Sequence, residues 1–273
     1  MVYEYILFIE NKYKINLNDK LGEGSFGIIY KGINTNTNKN VAIKIEKKSK
    51  SLLKNEARIY NLLKKIKGIP KFRSYGNEGV YNYMVIDYIG ESLEKYRLNN
   101  NGMLSIEKVK NIGLQMINII NNIHNTGILH RDIKPENFLI YNNEIFIIDF
   151  GLSKIYVKDN KHIVKSSINN IIGNIRYASI NIHNNISPSR RDDIESIIYI
   201  LIYLLNGSLP WQLSGKININ EIKERKKDIN NLKNIKIDNN LILLVKYVRN
   251  LKYIERPDYN YIKNKINLLG VDV

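Results

Sequence analysis

The chain contains no cysteine. That excludes a disulfide framework and removes any pointer to an oxidising compartment. Long apolar runs are missing as well. The N-terminal stretch Tyr5-Ile6-Leu7-Phe8-Ile9 is too short to span a membrane. It also lacks the basic start and small-residue cleavage site of a signal peptide, so a strand or packed arm is expected there. No fixed-period repeat and no Pro-, Gly- or Ser-rich linker divides the sequence. Acids are the minority charge, 26 Asp and Glu against 42 Lys and Arg, for a formal net charge of +16. Such a surplus suits nucleic acid, an anionic surface or acidic protein partners, or simply lysines on solvated faces. About 40 Asn and about 50 Ile accompany it. A/T-rich codons inflate Asn, Ile and Lys together, so part of the charge carries no functional message. What is present is 273 residues, enough to bury a substantial core. The expectation is a soluble, intracellular, cytoplasmic or nuclear monomer with no membrane partner.

Up to about Tyr88 the sequence reads as strand-rich. Val41-Ala42-Ile43-Lys44-Ile45 and Tyr83-Met84-Val85-Ile86 are short apolar runs with β-branched content. Between them, Leu52 to Lys65 has helical spacing, with Leu53, Ala57, Tyr60 and Leu63 or Lys64 following one another around one face. Later, Ile112, Met116, Ile119, Ile120 and Ile123 recur at helix spacing within Ile106 to His124. Ile194 to Leu205 is almost wholly apolar, as in a helix buried on all sides. Asp192 and Asp193 stand at its start, where acids favour the macrodipole. The predicted class is α+β: a small antiparallel-sheet lobe with one helix over about 1–88, a hinge near 87–91, and a larger, mostly helical lobe over about 92–273.

Two motifs carry the chemistry. His130-Arg131-Asp132-Ile133-Lys134-Pro135-Glu136-Asn137 precedes Asp149-Phe150-Gly151, and together they match H-R-D-x-x-x-x-N and D-F-G of the protein-kinase signature. Asp132 is the expected base, orienting a substrate hydroxyl toward the γ-phosphate of ATP. Lys134, two residues on, can neutralise charge on the transferred group. Asn137 and Asp149 are hard oxygen donors suited to Mg2+. His130 and Phe150 read as packing residues. His124, His162 and His183 show no metal-ligand spacing, and no chemistry is assigned to them.

Upstream, Leu21 leads into Gly22-Glu23-Gly24-Ser25-Phe26-Gly27-Ile28-Ile29, a G-x-G-x-x-G-x-V loop with Ile29 in place of Val. Gly22, Gly24, Ser25, Phe26 and Gly27 are expected to cover the phosphates, because glycine lets the backbone approach them closely. A dinucleotide fold uses the same spacing but opens a helix. Here Ile28-Ile29-Tyr30 favours strand–loop–strand. Lys44 is expected at the α- and β-phosphates, held by Glu56, the only acid of its predicted helix. The adenine is expected against Ile29, Ala42 and Leu139. Backbone groups around Asp87 and Ile89 would bond its edge, with Ile86 behind them.

Taken with Arg176-Tyr177-Ala178-Ser179-Ile180-Asn181-Ile182-His183, Ser189-Arg190-Arg191-Asp192-Asp193-Ile194-Glu195-Ser196, Gly207-Ser208-Leu209-Pro210-Trp211 and Pro257-Asp258-Tyr259, the chain resembles the casein kinase 1 family of serine/threonine kinases. The similarity runs over about residues 15 to 268, with Ser179-Ile180-Asn181 where most kinases carry Ala-Pro-Glu. The resemblance implies a bilobal protein-kinase fold and acidic or phospho-primed protein substrates. Lys134 after Asp132 also matches serine/threonine rather than tyrosine kinases. By position, Arg176 and Lys223 match basic residues lining the family's anion site. Asp193 matches the acid that tethers the catalytic loop's backbone.

Asn174, where the family usually has Thr, and Ile182, in place of the Thr of S-I-N-T-H, depart from the pattern. The run Ile186-Ser187-Pro188-Ser189-Arg190-Arg191 is similar to the vaccinia-related kinases. A divergent viral or protist branch follows as a hypothesis, with the virion as a further location if viral. The sequence stops soon after the kinase core, from which constitutive activity is expected. The competing readings are a pseudokinase-like scaffold and a nucleic-acid-associated protein. The first usually loses the lysine or the catalytic or metal acid, all kept here; no nucleic-acid motif supports the second.

Overall fold

The computed structural model describes residues 6–24, 27–49, 52–212, 218–228 and 237–271. The chain divides into two compact units, Met1–Gly90 with Ile148–Gly151, and Glu91–Ile147 with Leu152–Val273.

Among the described residues, the first unit is a six-stranded antiparallel sheet with one helix. Its strands are β1 (Ile6–Ile9), β2 (Tyr13–Gly24), β3 (Gly27–Asn34), β4 (Lys39–Lys47), β5 (Phe72–Glu78) and β6 (Tyr81–Asp87), in the order β1-β2-β3-β4-β6-β5. The N-terminal apolar stretch is the edge strand β1, with Leu7 opposite Ile15; Tyr5 lies outside the described residues. Alternation along β4 decides what each face does. Val41 and Ile43 bury into a core with Ile9, Tyr13, Ile15, Tyr83 and Val85. Ala42 and Lys44 therefore point the other way. Ile29 pairs with Lys44, and Ala42 with Ile86, so Ile29, Ala42, Lys44 and Ile86 share that second face.

Helix α1 (Leu52–Leu63) buries Leu53, Glu56, Ala57, Tyr60 and Leu63, an i, i+3, i+4 stripe facing β5 and β6. Its start is tied to the sheet from β4. Glu46 Oε1 accepts from the Leu53 amide at 3.0 Å and from Asn82 Nδ2 at 3.1 Å. That satisfies one of the amides a helix N-terminus leaves without an intrahelical partner.

The second unit is mostly helical: α2 (Leu93–Asn99), α3 (Ile106–Asn125), α4 (Ile180–His183), α5 (Arg190–Asn206), α6 (Ile219–Lys227), α7 (Asn239–Asn250) and α8 (Tyr259–Asn267). Short ladders accompany them: β7 (Glu91–Ser92) with β9 (Phe138–Tyr141) and β10 (Glu144–Ile147), and β8 (Ile128–Leu129) with β11 (Lys154–Ile155). The apolar run from Ile194 is buried on all sides and packs against α3 and α7. Helix α5 begins earlier than its apolar run, at Arg190. Asp192 reaches back to the Ser189 amide at 2.7 Å, so this acid is a side-chain cap as well as a charge on the dipole. Gly207, at φ 73°, ends the helix in the left-handed region.

Candidate active site

In the first unit, Lys44 leaves β4 on the face opposite the core and meets two acids. Its Nζ lies 2.7 Å from Glu56 Oε2 and 3.1 Å from Asp149 Oδ1. One cation shared by two carboxylates leaves the groups unequally satisfied. At Lys44, burial lowers the pKa, but the two acids outweigh it and the net shift is upward. At Glu56, burial is the larger influence and Asp149 adds repulsion, so its pKa rises to about 7 despite Lys44. Asp149 itself sits at φ 65°, a conformation few non-glycine residues adopt. Its amide donates to Tyr60 Oη at 3.3 Å, and the Tyr60 ring meets Phe150 edge-on with centroids 4.9 Å apart. Phe150 is thus a packing residue that fixes Asp149 against α1, as its apolar character suggested. The apolar stripe of the sequence accounts for Tyr60 as packing alone, and nothing local in the sequence marks its second role.

Around the glycine loop, Gly27 has φ 126°, and a Cβ there would stand 2.2 Å from the Ile45 carbonyl oxygen. Any side chain at this position is excluded by the protein itself. Gly22 and Gly24 differ, with nothing within 4 Å of where a Cβ would stand. Their missing side chains leave open space above the β2–β3 turn, the shape a close-approaching phosphate requires. Ser25 and Phe26 lie outside the described residues, and Leu21 is exposed. Ile29, Ala42, Ile86, Asp87 and Ile89 are half-buried in this unit, as Leu139 is on β9 of the other. The Asp87 amide already donates to Lys71 O at 3.0 Å, and its carboxylate pairs with Arg73 at 2.5 Å. Any backbone bond that residue offers a ligand must use its carbonyl.

In the second unit, the loop after β8 gathers the other motif. Asp132 is 5% exposed. Its Oδ2 accepts from Lys134 Nζ at 2.6 Å and from Asn137 Nδ2 at 3.1 Å. Asn137 Nδ2 also donates to Asp132 O at 2.9 Å. Lys134 and Asn137 of the same loop thereby converge on one carboxylate.

The loop is held from α5. Asp193 accepts the amides of His130 and Arg131, each at 2.9 Å, one on each carboxylate oxygen. His124 Nε2 approaches Asp193 Oδ2 at 3.0 Å, and its Nδ1 lies 2.6 Å from Tyr259 Oη. Burial keeps His124 below its usual pKa. The neutral ring therefore donates Nε2–H to the acid and accepts from the tyrosine at Nδ1. Burial alone would raise Asp193, but His124 and the His130 amide hold it below the ordinary carboxylate range. His124, to which sequence reading assigned no chemistry, thus supports the acid that supports the loop. Its partner Tyr259 explains Pro257-Asp258-Tyr259, with Asp258 capping α8 through the amides of Asn260 and Tyr261, both at 3.0 Å.

The adjacent acid faces another way. Asp192 Oδ1 accepts from Ser179 Oγ at 2.6 Å and Asn181 Nδ2 at 3.0 Å. The Ser179-Ile180-Asn181 and Arg190-Arg191-Asp192-Asp193 segments therefore meet. Gly173, not singled out from sequence, is required where it stands. It has φ 80°, and a Cβ would lie 2.4 Å from the Arg131 carbonyl oxygen and 3.3 Å from Asp132 Oδ1.

Of the two cations expected at an anion site, Arg176 is half-buried, with its carbonyl accepting from Trp211 Nε1 at 2.8 Å. Lys223 is half-buried on α6 and helps burial and Lys226 hold down the pKa of His183. The fully buried lysine of α6 is Lys226, one turn later. Asn174, the departure from the Thr pattern, accepts the Arg176 amide on Oδ1 at 3.0 Å, and Ile182 is buried in α4.

Among the described residues, no cluster of three His, Cys, Asp or Glu side chains is fit to hold a metal. A divalent ion that keeps waters and takes phosphate oxygens needs only one or two protein donors. Asn137 fits such a role, because both its donations come from Nδ2 and leave the amide oxygen to ligate. Asp149 fits as a carboxylate with a 24% exposed side chain. Residues 15–265 match the family model described as protein kinase domain. Since that match runs from β2 to α8, the chain belongs to the protein kinase family, phosphotransferases that use ATP with a divalent metal to modify proteins.

Proposed function

We propose that this protein kinase is a serine/threonine enzyme of the casein kinase 1 type, acting with Mg2+ and ATP on acidic or already phosphorylated protein substrates. The observation that carries the acceptor class is Lys134 Nζ at 2.6 Å from Asp132 Oδ2, the lysine that follows the catalytic acid in serine/threonine kinases. In this reading Asp132 orients the acceptor hydroxyl and takes its proton, and Lys134 offsets charge on the moving phosphoryl group. Phosphoryl transfer has a loose transition state, so positioning and charge neutralisation dominate. Lys44, held by Glu56, engages the α- and β-phosphates, and the open backbone at Gly22 and Gly24 admits them. Bound Mg2+ would neutralise phosphate charge, with Asn137 and Asp149 each offering a hard oxygen donor. Ile29, Ala42 and Ile86, on one face of the sheet, supply apolar surface for adenine.

The casein kinase 1 assignment is supported by the Ser179–Asn181–Asp192 cluster, which gives the family-like segment a structural task. Acidic or primed substrates are supported by Arg176, Lys223 and the net charge of +16, since charge-assisted bonds to doubly charged phosphate are strong. Constitutive activity is supported by the Lys44–Glu56 pair, closed at 2.7 Å. Of the activation-segment hydroxyls, Tyr177 is buried, whereas Ser166 and Ser167 are exposed. The test is incorporation of labelled phosphate from ATP-Mg into casein or a phospho-primed peptide, by wild type and Asp149→Ala. Background incorporation by both overturns the enzymatic reading. A severalfold rate change after phosphatase treatment overturns constitutive activity.

A further inference from the structure

Lys226 on α6 is an ammonium that none of the steps above uses, and it is 1% exposed. Its Nζ finds three acceptors for three protons: Ile175 O at 2.9 Å, Ala178 O at 2.7 Å and His183 Nε2 at 3.1 Å. An ammonium removed from water persists only when its protons are matched in this way. The rings of Tyr199 and Trp211 add cation–π attraction, with centroids 5.3 and 5.2 Å from Nζ. Burial draws the Lys226 pKa well down, against the pull of Glu195. Burial and then Lys226 push His183 to about 4, so its ring is neutral at pH 7 and Nε2 can accept. Nε2 also stands 3.3 Å from Ile175 O. A nitrogen that accepts from Lys226 cannot also donate to that carbonyl, so the ring tautomer sets which of the two contacts is a hydrogen bond.

The two carbonyl acceptors flank Arg176, whose own carbonyl takes the Trp211 N–H at 2.8 Å. Asn174 O receives the amides of Tyr177 at 3.1 Å and Ala178 at 2.8 Å. The segment begins at Gly173, in the tight approach to Arg131 and Asp132 described above. One end of this short stretch thus presses on the loop carrying Asp132. The other is pinned at three carbonyls by Lys226 and Trp211.

We infer that Lys226 is a positioning residue for the protein substrate: it fixes the Ile175–Ala178 backbone so that Arg176 and Asp132 address the same peptide. The inference rests on the roles proposed above for those two residues. Its test compares wild type, Lys226→Met, Trp211→Phe and Lys227→Met on a peptide carrying a phosphoserine shortly upstream of the acceptor serine and on its unprimed counterpart. Lys227→Met removes the same charge from an exposed position of α6. Lys226→Met is expected to raise the KM for the primed peptide about tenfold, with kcat and the KM for ATP within about twofold. Trp211→Phe should move the peptide KM the same way, by about threefold, and Lys227→Met should leave it unchanged. An unchanged peptide KM in Lys226→Met overturns the inference. So does a parallel shift of kcat and both KM values, the mark of general loosening. If Lys226→Met shows no cooperative melting transition, Trp211→Phe decides, and an unchanged peptide KM there is equally fatal. Wild type treating both peptides alike would refute the primed-substrate reading, while the KM shift on either peptide would still judge Lys226.

Discussion

Glu56 offers the sharpest test, because activity and stability should respond to it in opposite directions. It is 2% exposed, and its carboxyl pKa is pushed up to about 7 by burial, with Asp149 adding to the rise and Lys44 resisting it. Between the ordinary carboxyl value of 4.5 and about 7, the folded chain holds a proton that the unfolded chain has released. Stability from this group is therefore complete below about 4.5 and lost as pH rises through 7, a total of about 3 kcal/mol. The ion pair with Lys44 has the reverse requirement and needs the carboxylate ionised. At pH 5.5 only about one Glu56 in thirty is ionised. If the pair is obligatory, the rate should fall about thirtyfold from pH 8 to pH 5.5.

Glu56→Gln isolates this group, since it leaves unchanged the titration of ATP and of any phosphorylated substrate. Initial rates at saturating ATP-Mg and urea unfolding curves would be collected for both proteins across that range. The ratio of wild-type to variant rate should collapse toward acid pH. The variant should gain about 3 kcal/mol over wild type between pH 4.5 and pH 8. A rate ratio that stays constant with pH would refute the claim that the ionised pair is needed. A stability difference that stays flat would refute the buried, raised carboxyl. The expected pattern is a group kept at a cost to the fold because its charge serves the reaction.

Gly173→Ala introduces a Cβ at 2.4 Å from the Arg131 carbonyl, in a residue at φ 80°. We expect at least a tenfold loss of kcat/KM and about 1–3 kcal/mol of stability; a variant with wild-type kinetics would show that the loop relaxes freely. Asp193→Ala strips acceptors from the amides of His130 and Arg131 and from His124. The cost should be about 3–5 kcal/mol by urea unfolding, and a loss under about 1 kcal/mol would mean that water replaces the acid readily.

Much of this arrangement is legible in the sequence because it depends on local period. Alternation in Val41-Ala42-Ile43-Lys44-Ile45 already puts Lys44 and Ala42 opposite the core side chains, and β4 does just that. Glu56 is the one acid in an apolar helical stripe, so its burial implies a cation nearby. What was not legible depends on distant acceptors. Lys223 and Lys226 are three apart on α6 and share a face. Only the carbonyls of Ile175 and Ala178, nearly 50 positions upstream, determine that Lys226 is the buried one. Gly173 looks like an ordinary loop glycine until the Arg131 carbonyl closes over it. His124 showed no metal spacing, and its structural task became visible only with Asp193 on one side of the ring and Tyr259 on the other.

The two adjacent acids of α5 show how one helix can hold both the loop carrying Asp132 and the segment that follows Arg176. Successive residues on an α-helix point about 100° apart, so neighbouring carboxylates reach different chain segments. Asp193 takes the amides of the loop that carries Asp132, and Asp192 takes the side chains of Ser179 and Asn181 beyond Arg176. Neither acid can shift without the other, because both sit on a helix whose following turns are buried on every side. The helix is itself held at this end, through the Ser189 amide on Asp192 and through Glu195, which pairs with Arg249 at 3.0 Å and receives the Ile180 amide at 3.3 Å. Within the second unit, the loop that carries Asp132 and the segment around Arg176 are therefore both tied to the buried helix α5. That arrangement predicts that small-to-large changes deep in α5, far from either segment, will disturb both of them together.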